Sequence, residues 1–464
     1  MLSAKAGIIP RLLHSSAFST TPGDLLNEPS PASAPLENVR PSACPGLLRV
    51  VMALDGGICR IKLPGGVLNA DQADAVALAA ERFAGGVIEA TNRGNVQIRG
   101  IGGQSLELIK YLLAAGLGPR EAAADDVRNV MLSPTAGIDP QMQADTRLLA
   151  AQILDSLEST PSFHQLSAKF AVQLDGGEGL AMLEHHHDVW LSPLAFAGQS
   201  WWAFGLAGSP LDGTVMAVRQ AHGHAVVLAL LQAFLATATP AQHRMRDLLA
   251  AQPSWPPARG VLAGIDVQPV NFKRTPGTGR ALGAHAQLQA ATCYVGAAAP
   301  LGRLTPAMLR GVAQAARTWG DGTLRMTPWQ GLLLPNVAVH LADQALQALQ
   351  STGLLTDAGQ PLAQLIACTG SSGCAKAHAD TKHDAMRLAQ RLPRARALHL
   401  SGCSRSCAAA HTAPVTLLAV SAGHYDVYFC DADQPGFGAL QARDLSLDAI
   451  ATLLGEGSRS DTHD

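Results

Sequence analysis

Pro64-Gly65-Gly66-Val67-Leu68 opens a stretch that the chain repeats at Pro300-Leu301-Gly302-Arg303-Leu304, and this repeat decides the fold. The same offset, Pro64 to Pro300, carries Val76 onto Val312, Phe83 onto Trp319 and Thr91 onto Thr327. It also carries Val96 and Ile98 onto Leu332 and Leu334 without a gap. Ungapped self-similarity through a strand, a helix and a strand is the mark of duplication. In the first copy, alternation over residues 58–63 puts Cys59, Ile61 and Leu63 on one face and Arg60 with Lys62 on the other. A helix is expected from Asp71 to Phe83 with Asn69 as its N-cap. A strand from Gly86 to Ile98 is expected next, carrying Thr91, Arg93 and Gln97. The second copy loses the cations: Gly296, Ala298 and Trp329 stand where Arg60, Lys62 and Arg93 do. Further on the halves correspond more loosely. Asp145-Thr146 matches Asp380-Thr381, and Leu166-Ser167 matches Leu400-Ser401, a register that sets Lys169 opposite Cys403.

Half of the eight cysteines lie in two tight pairs, Cys368 with Cys374 and Cys403 with Cys407. Gly370, Gly373 and Gly402 flank them, so the backbone can fold closely around a bound group. Four thiolates from two loops suit a [4Fe-4S] cluster. Structural zinc is the metal rival, although its knuckles use shorter spacings than the first pair. Four small buried hydrophobes form the third reading.

With 464 residues the chain exceeds a single core. Charged residues are only 15% and the net charge is −2, which excludes the basic face of a nucleic-acid binder. The most apolar run, Ala225 to Ala236, is too short for a membrane span and contains Gln232. Together with paired cysteines suited to a reducing compartment, this points to a soluble, cytoplasmic protein. Met1 to Thr21 has Lys5, Arg11 and several serines but no acid, a composition shared by mitochondrial transit peptides and by disordered leaders. Pro253 to Pro257 and Pro276 to Gly279 read as connectors, with a strand around Val261 to Val267. Glu184-His185-His186-His187-Asp188 invites an iron site, but strand alternation would turn Asp188 away from His185 and His187. A surface loop or strand start is expected there. Cys293 and Cys430 read as strand-core residues, as do the aromatics Trp201, Trp202 and Tyr425 to Phe429.

Taken in order, Arg60-x-Lys62-Leu-Pro-Gly-Gly, Thr91-x-Arg93-x-x-x-Gln97, Arg128-Asn-Val and the two cysteine pairs resemble the sulfite and nitrite reductase family. The resemblance implies an α+β duplicated fold around a pseudo-two-fold axis. Ferredoxin-like half-domains are then expected at 40–120 and 259–345, cluster or tetrapyrrole half-domains at 121–258 and 346–456, and tails at 1–39 and 457–464. It also implies that Cys368, Cys374, Cys403 and Cys407 hold a [4Fe-4S] cluster, the last bridging to sirohaem where sirohaem is present. Arg60, Lys62, Thr91, Arg93, Gln97, Arg128 and Lys169 would bind the tetrapyrrole and its anionic partner, with Arg128 and Lys169 at the reacting centre. Sulfite reductases carry a second lysine two residues after the first, where this chain has Ala171. That departure, the opening Arg40-Pro-Ser-Ala-Cys44-Pro-Gly, the stretch Gly57 to Gly66 and Thr327-Pro-Trp-Gln330 are similar to the precorrin-3B synthases. For that branch the resemblance implies precorrin-3A and dioxygen as substrates, hydroxylation at C20 with γ-lactone formation, and an additional iron. No G-x-G-x-x-G element follows a strand, so NAD(P)H is expected to act through an electron-donating reductase.

Overall fold

The computed structural model describes residues 44–255, 262–431, 433–434 and 436–456. The expectations for both tails, for Arg40 to Ala43 and for residues 256–257 and 261 therefore lie outside the described residues. Two compact units form: residues 119–279, and the described parts of 18–118 with 280–464.

In the two-segment unit, the first copy runs β1 (Val51–Ala53), β2 (Gly56–Ile61), β3 (Val67–Asn69), α1 (Ala70–Phe83), β4 (Val87–Ala90), β5 (Val96–Ile101) and α2 (Ser105–Ala114). Helix α1 starts where expected because Asn69 Oδ1 accepts from Gln72 N–H, while Gln72 Oε1 accepts from Asn69 N–H. The expected strand from Gly86 to Ile98 is instead a hairpin. Thr91 Oγ1 accepts from the N–H groups of Arg93 and Asn95, and Gly94 takes φ +65°, so the chain turns back over residues 91–95.

The 119–279 unit contributes β6 (Val130–Leu132), α3 (Arg147–Ser159), β7 (Val172–Leu174), β8 (His187–Phe196), β9 (Gln199–Gly208), β10 (Thr214–Arg219), α4 (Gly223–Thr237), α5 (Met245–Ala251) and β11 (Val267–Phe272). Strands β6, β7 and β8 are parallel, and β9, β10 and β11 continue the sheet antiparallel. The strand expected around 261–267 begins only at Val267.

The chain then enters the second copy: β12 (Gly283–Ala286), β13 (Thr292–Ala298), β14 (Arg303–Leu304), α6 (Pro306–Trp319), β15 (Thr323–Met326), β16 (Gly331–Ala338) and α7 (Ala342–Ser351). Helix α6 and strand β15 fall at the repeat offset from α1 and β4. The copies exchange edges. Strand β3 pairs with β15 (Leu68 opposite Leu324), and β14 pairs with β4 (Leu304 opposite Ile88). Each short strand completes the other copy's sheet, so one core contains Ile61, Leu68, Val76 and Ile98 together with Val295, Leu304, Val312 and Leu334. Gly66 lies at φ +73° with the Met326 carbonyl oxygen 2.2 Å from where a Cβ would be, so only glycine lets the crossing chains approach.

The last sheet holds β17 (Leu365–Ala367), β18 (Leu398–Ser401), β19 (Val415–Ser421), β20 (His424–Phe429) and β21 (Ala439–Ser446), with α8 (Thr381–Ala389) and α9 (Leu447–Glu456). Strands β17, β18 and β19 are parallel and β20 and β21 antiparallel, the same opening topology as the 119–279 unit. No helix among the described residues is long and apolar enough to cross a membrane.

Candidate functional site

The cysteine pairs sit just beyond the ends of parallel strands. Cys368 follows β17, and Cys403 follows β18 by two residues. Such strand ends are where α/β sheets place ligands. Gly370 takes φ +74° with Thr381 N 2.5 Å from a notional Cβ, which packs the Cys368–Cys374 loop against the start of α8. Cys368 Sγ accepts from Gly402 N–H at 3.2 Å and lies 3.4 Å from the Thr381 hydroxyl. Burial, followed by the thiols of Cys368, Cys403 and Cys374, pushes Cys407 up to about 12. Cys403 is raised by burial and, in turn, by Cys368 and Cys374, while the backbone N–H of Arg405 lowers it. Cys407 is exposed at the surface. Ser406 takes φ +50° and donates its hydroxyl to the Ala409 carbonyl at 3.1 Å.

Arg60 and Gln97 face each other across β2 and β5, and the guanidinium donates from Nε (3.0 Å) and Nη2 (2.8 Å) to Gln97 Oε1. Burial lowers the proton affinity of Arg60, while the thiols of Cys44 and Cys407 act against that shift. Arg60 of the first copy thus stands within electrostatic reach of the last cysteine of the quartet. Lys62, just past the end of β2, is buried rather than on a solvated face. Thr91 turns its hydroxyl into the hairpin, and Arg93 is half-buried within it.

In the 119–279 unit, Arg128 is half-buried, with its buried Nε 2.7 Å from Glu158 Oε1, an ion pair without hydrogen-bond alignment at Nε. Lys169 is half-buried before β7, its N–H on Ser167 Oγ. The pairing of the strands corrects the register that set Lys169 opposite Cys403. Strand β7 holds the middle place in its parallel trio as β18 does in its own, so Lys169, which precedes β7, and Cys403, which follows β18, lie at opposite strand ends. Sequence matching around Leu-Ser missed this because the segment before β7, residues 160–171, is longer than that before β18, residues 390–397. In place of thiols this half has a hydrogen-bonded network. Ser133 Oγ donates to the Leu180 carbonyl (2.6 Å), Thr135 Oγ1 to Asp139 Oδ2 (2.8 Å), and Arg274 Nε to Asp175 Oδ2 (2.9 Å).

Of the two readings of residues 184–188, the strand start holds, since His187 opens β8, and the surface loop does not. His185, His187 and Asp188 are buried, because Asp188 accepts from Arg244 Nε, Met245 N–H and Ala171 N–H and ties three segments together. Cys430 is exposed just past β20, whereas Cys293 is in the core as expected. Trp201, Trp202 and Tyr425 are buried on strands, also as expected.

A model of the nitrite/sulfite reductase ferredoxin-like half domain matches residues 54–116 and again 285–352, and a model of the nitrite and sulphite reductase 4Fe-4S domain matches 123–299. Together they cover more than half of the chain. The chain belongs to the nitrite and sulfite reductase family. Its similar relatives include the ferredoxin–nitrite reductase of Synechococcus elongatus, 28% identical over 78% of this chain and 76% of that protein. A precorrin-3B synthase of Sinorhizobium sp is also 28% identical, over 83% of this chain and 82% of that one. The chloroplastic ferredoxin–nitrite reductase of Zea mays is 29% identical over 77% and 68%. The structure of the Mycobacterium tuberculosis NirA protein matches with a TM-score of 0.69 over 87% of this chain and 80% of that one, at 20% identity, which bears on the fold.

The matched reductase 4Fe-4S region lies in the half without the quartet, whereas the four cysteines lie in the topologically equivalent second half. The family implies a [4Fe-4S] cluster and sirohaem, and the donor set fits the cluster. Four thiols on two loops act on one another electrostatically. Among the described residues no three His, Cys, Asp or Glu side chains converge as ligands of one ion. A cubane takes one thiolate at each of four separated irons, so its ligands stand further apart than those of a single zinc.

Proposed function

We propose that this family member is an oxygen-dependent oxidoreductase of a carboxylate-rich tetrapyrrole, converting precorrin-3A to precorrin-3B by hydroxylation at C20 with γ-lactone formation. The observation that carries the reading is Ala171. It is buried, with its N–H on Asp188, and stands where sulfite reductases carry the second of two lysines that contact a small oxyanion. The similarity to a precorrin-3B synthase over four-fifths of both chains supports it. In this reading Cys368, Cys374, Cys403 and Cys407 hold the [4Fe-4S] cluster, which supplies single electrons when bound. Arg60, oriented by Gln97, anchors a substrate carboxylate beside Cys407, and Lys62 and Arg93 extend the cationic face. Arg128 and Lys169, in the 119–279 unit, are the further cations assigned to substrate binding. One oxygen atom of dioxygen enters the substrate and the other leaves as water, with two electrons from NAD(P)H delivered through a reductase.

The second reading, a sirohaem-dependent nitrite or sulfite reductase, is favoured by the nitrite reductases among the relatives. Anaerobic purification followed by incubation with precorrin-3A, oxygen and reductant separates the two. A product heavier by one oxygen atom supports the proposal, whereas a sirohaem absorption band with nitrite- or sulfite-dependent electron uptake overturns it. Zinc without iron or acid-labile sulfide would overturn both redox readings. Arg60→Ala is expected to weaken precorrin-3A binding about tenfold or more, the loss of one charge-assisted contact, measured by fluorescence titration.

A further inference from the structure

Behind the first cysteine loop lies a buried ionic network that neither repeat nor motif announces. Lys382, in the first turn of α8, donates from Nζ to the carbonyl oxygens of Leu301 and Ala367 and lies 3.9 Å from Glu89 Oε1. Glu89 also has Arg303 Nε at 3.3 Å and Arg99 Nη1 at 3.7 Å, and accepts from the Thr369 hydroxyl at 3.4 Å. Arg99 forks onto Asp55 at 2.9 and 2.8 Å and reaches the Gly373 carbonyl at 3.4 Å. Three cations face two carboxylates, so the network has one net positive charge. Lys382, Arg99 and Glu89 are each less than a tenth exposed, which leaves little water to screen them. Lys382 stands within electrostatic reach of Cys368, and Arg99 within reach of Cys374.

We propose that Lys382, held with Arg99 and Arg303 around Glu89, is the counter-charge that raises the reduction potential of the iron–sulfur cluster. The proposal rests on the cluster reading above. Reduction adds one electron to the cluster and neither makes nor breaks a bond, so a fixed positive charge nearby favours the reduced state. A network that only joined the three segments would change cluster content, but would not shift the potential with the sign of the charge removed.

The test is an anaerobic redox titration of the holoenzyme with dye mediators, read by electron paramagnetic resonance. Lys382→Met is expected to lower the reduced-to-oxidised ratio at a fixed ambient potential roughly tenfold, a downward shift of about 59 mV for a one-electron couple. Glu89→Gln is expected to shift the potential upward. If Lys382→Met loses iron, Arg303→Met, at a more exposed site of the same network, must show the downward shift. Unchanged potentials, or shifts of one sign in both the lysine and glutamate variants, overturn the proposal. A wild-type protein without iron and sulfide overturns the cluster reading itself, and is recognised before any variant is compared.

Discussion

Glu178 shows how one buried group makes stability depend on pH. It is fully buried, and desolvation followed by the neighbouring Asp175 pushes its carboxyl up to about 8 from an ordinary 4.5. The folded chain therefore keeps a proton that the unfolded chain has released, and unfolding releases it. Stability contributed at this site falls as pH rises from about 4.5 to about 8. Glu178→Gln is expected to flatten that fall, seen as a smaller difference between thermal midpoints at pH 5 and pH 8. An unchanged difference would show that Glu178 ionises normally in the fold. At Gly370 the constraint is steric. Alanine would meet Thr381 N at 2.5 Å in a left-handed conformation, so Gly370→Ala is expected to lose most of the bound iron per chain by metal analysis. The flanking glycines were legible in the sequence. Glu178 was not, because its shift comes from Asp175 and from burial that only the folded loop creates.

At the scale of elements, the caps explain why helix starts could be read closely while strand ends could not. Asn69 and Thr305 occupy equivalent positions, and each side chain accepts from a backbone N–H three residues on. Asn69→Ala and Thr305→Ala are each expected to cost about 1 kcal/mol, measured by urea denaturation. The hairpin at Thr91 escaped the sequence reading because Thr91, Asn92 and Arg93 look compatible with a strand. The turn depends on the Thr91 hydroxyl collecting two N–H groups and on Gly94 at positive φ. The buried state of Asp188 was missed for a similar reason. Its partner Arg244 is 56 residues away, and no local pattern connects them.

At the scale of the molecule, the exchange of β3 and β14 makes the two ferredoxin-like copies one cooperative body. Leu68 is fully buried against the other copy's sheet, so Leu68→Ala is expected to cost about 2–5 kcal/mol and to destabilise both copies together. Hydrogen exchange should show amides of β4 and β15 losing protection in step. If protection fell in one copy alone, the shared core would not be the cooperative unit.

The sequence by itself determined the duplication, the paired cysteines and the cations of the first copy, because each is a local pattern of residue type and spacing. From these the family and its fold followed. Only the tertiary structure decided that the copies trade strands, that Lys169 precedes β7 whereas Cys403 follows β18, and that Arg60 comes within electrostatic reach of Cys407 while Arg128 is paired with Glu158. It also gathered Asp55, Glu89, Arg99, Arg303 and Lys382, spread over more than three hundred residues, into one buried network. Such charges are indistinguishable from solvated ones in sequence. Their meaning depends on which neighbours remain when water is excluded, and that is settled by packing between distant segments.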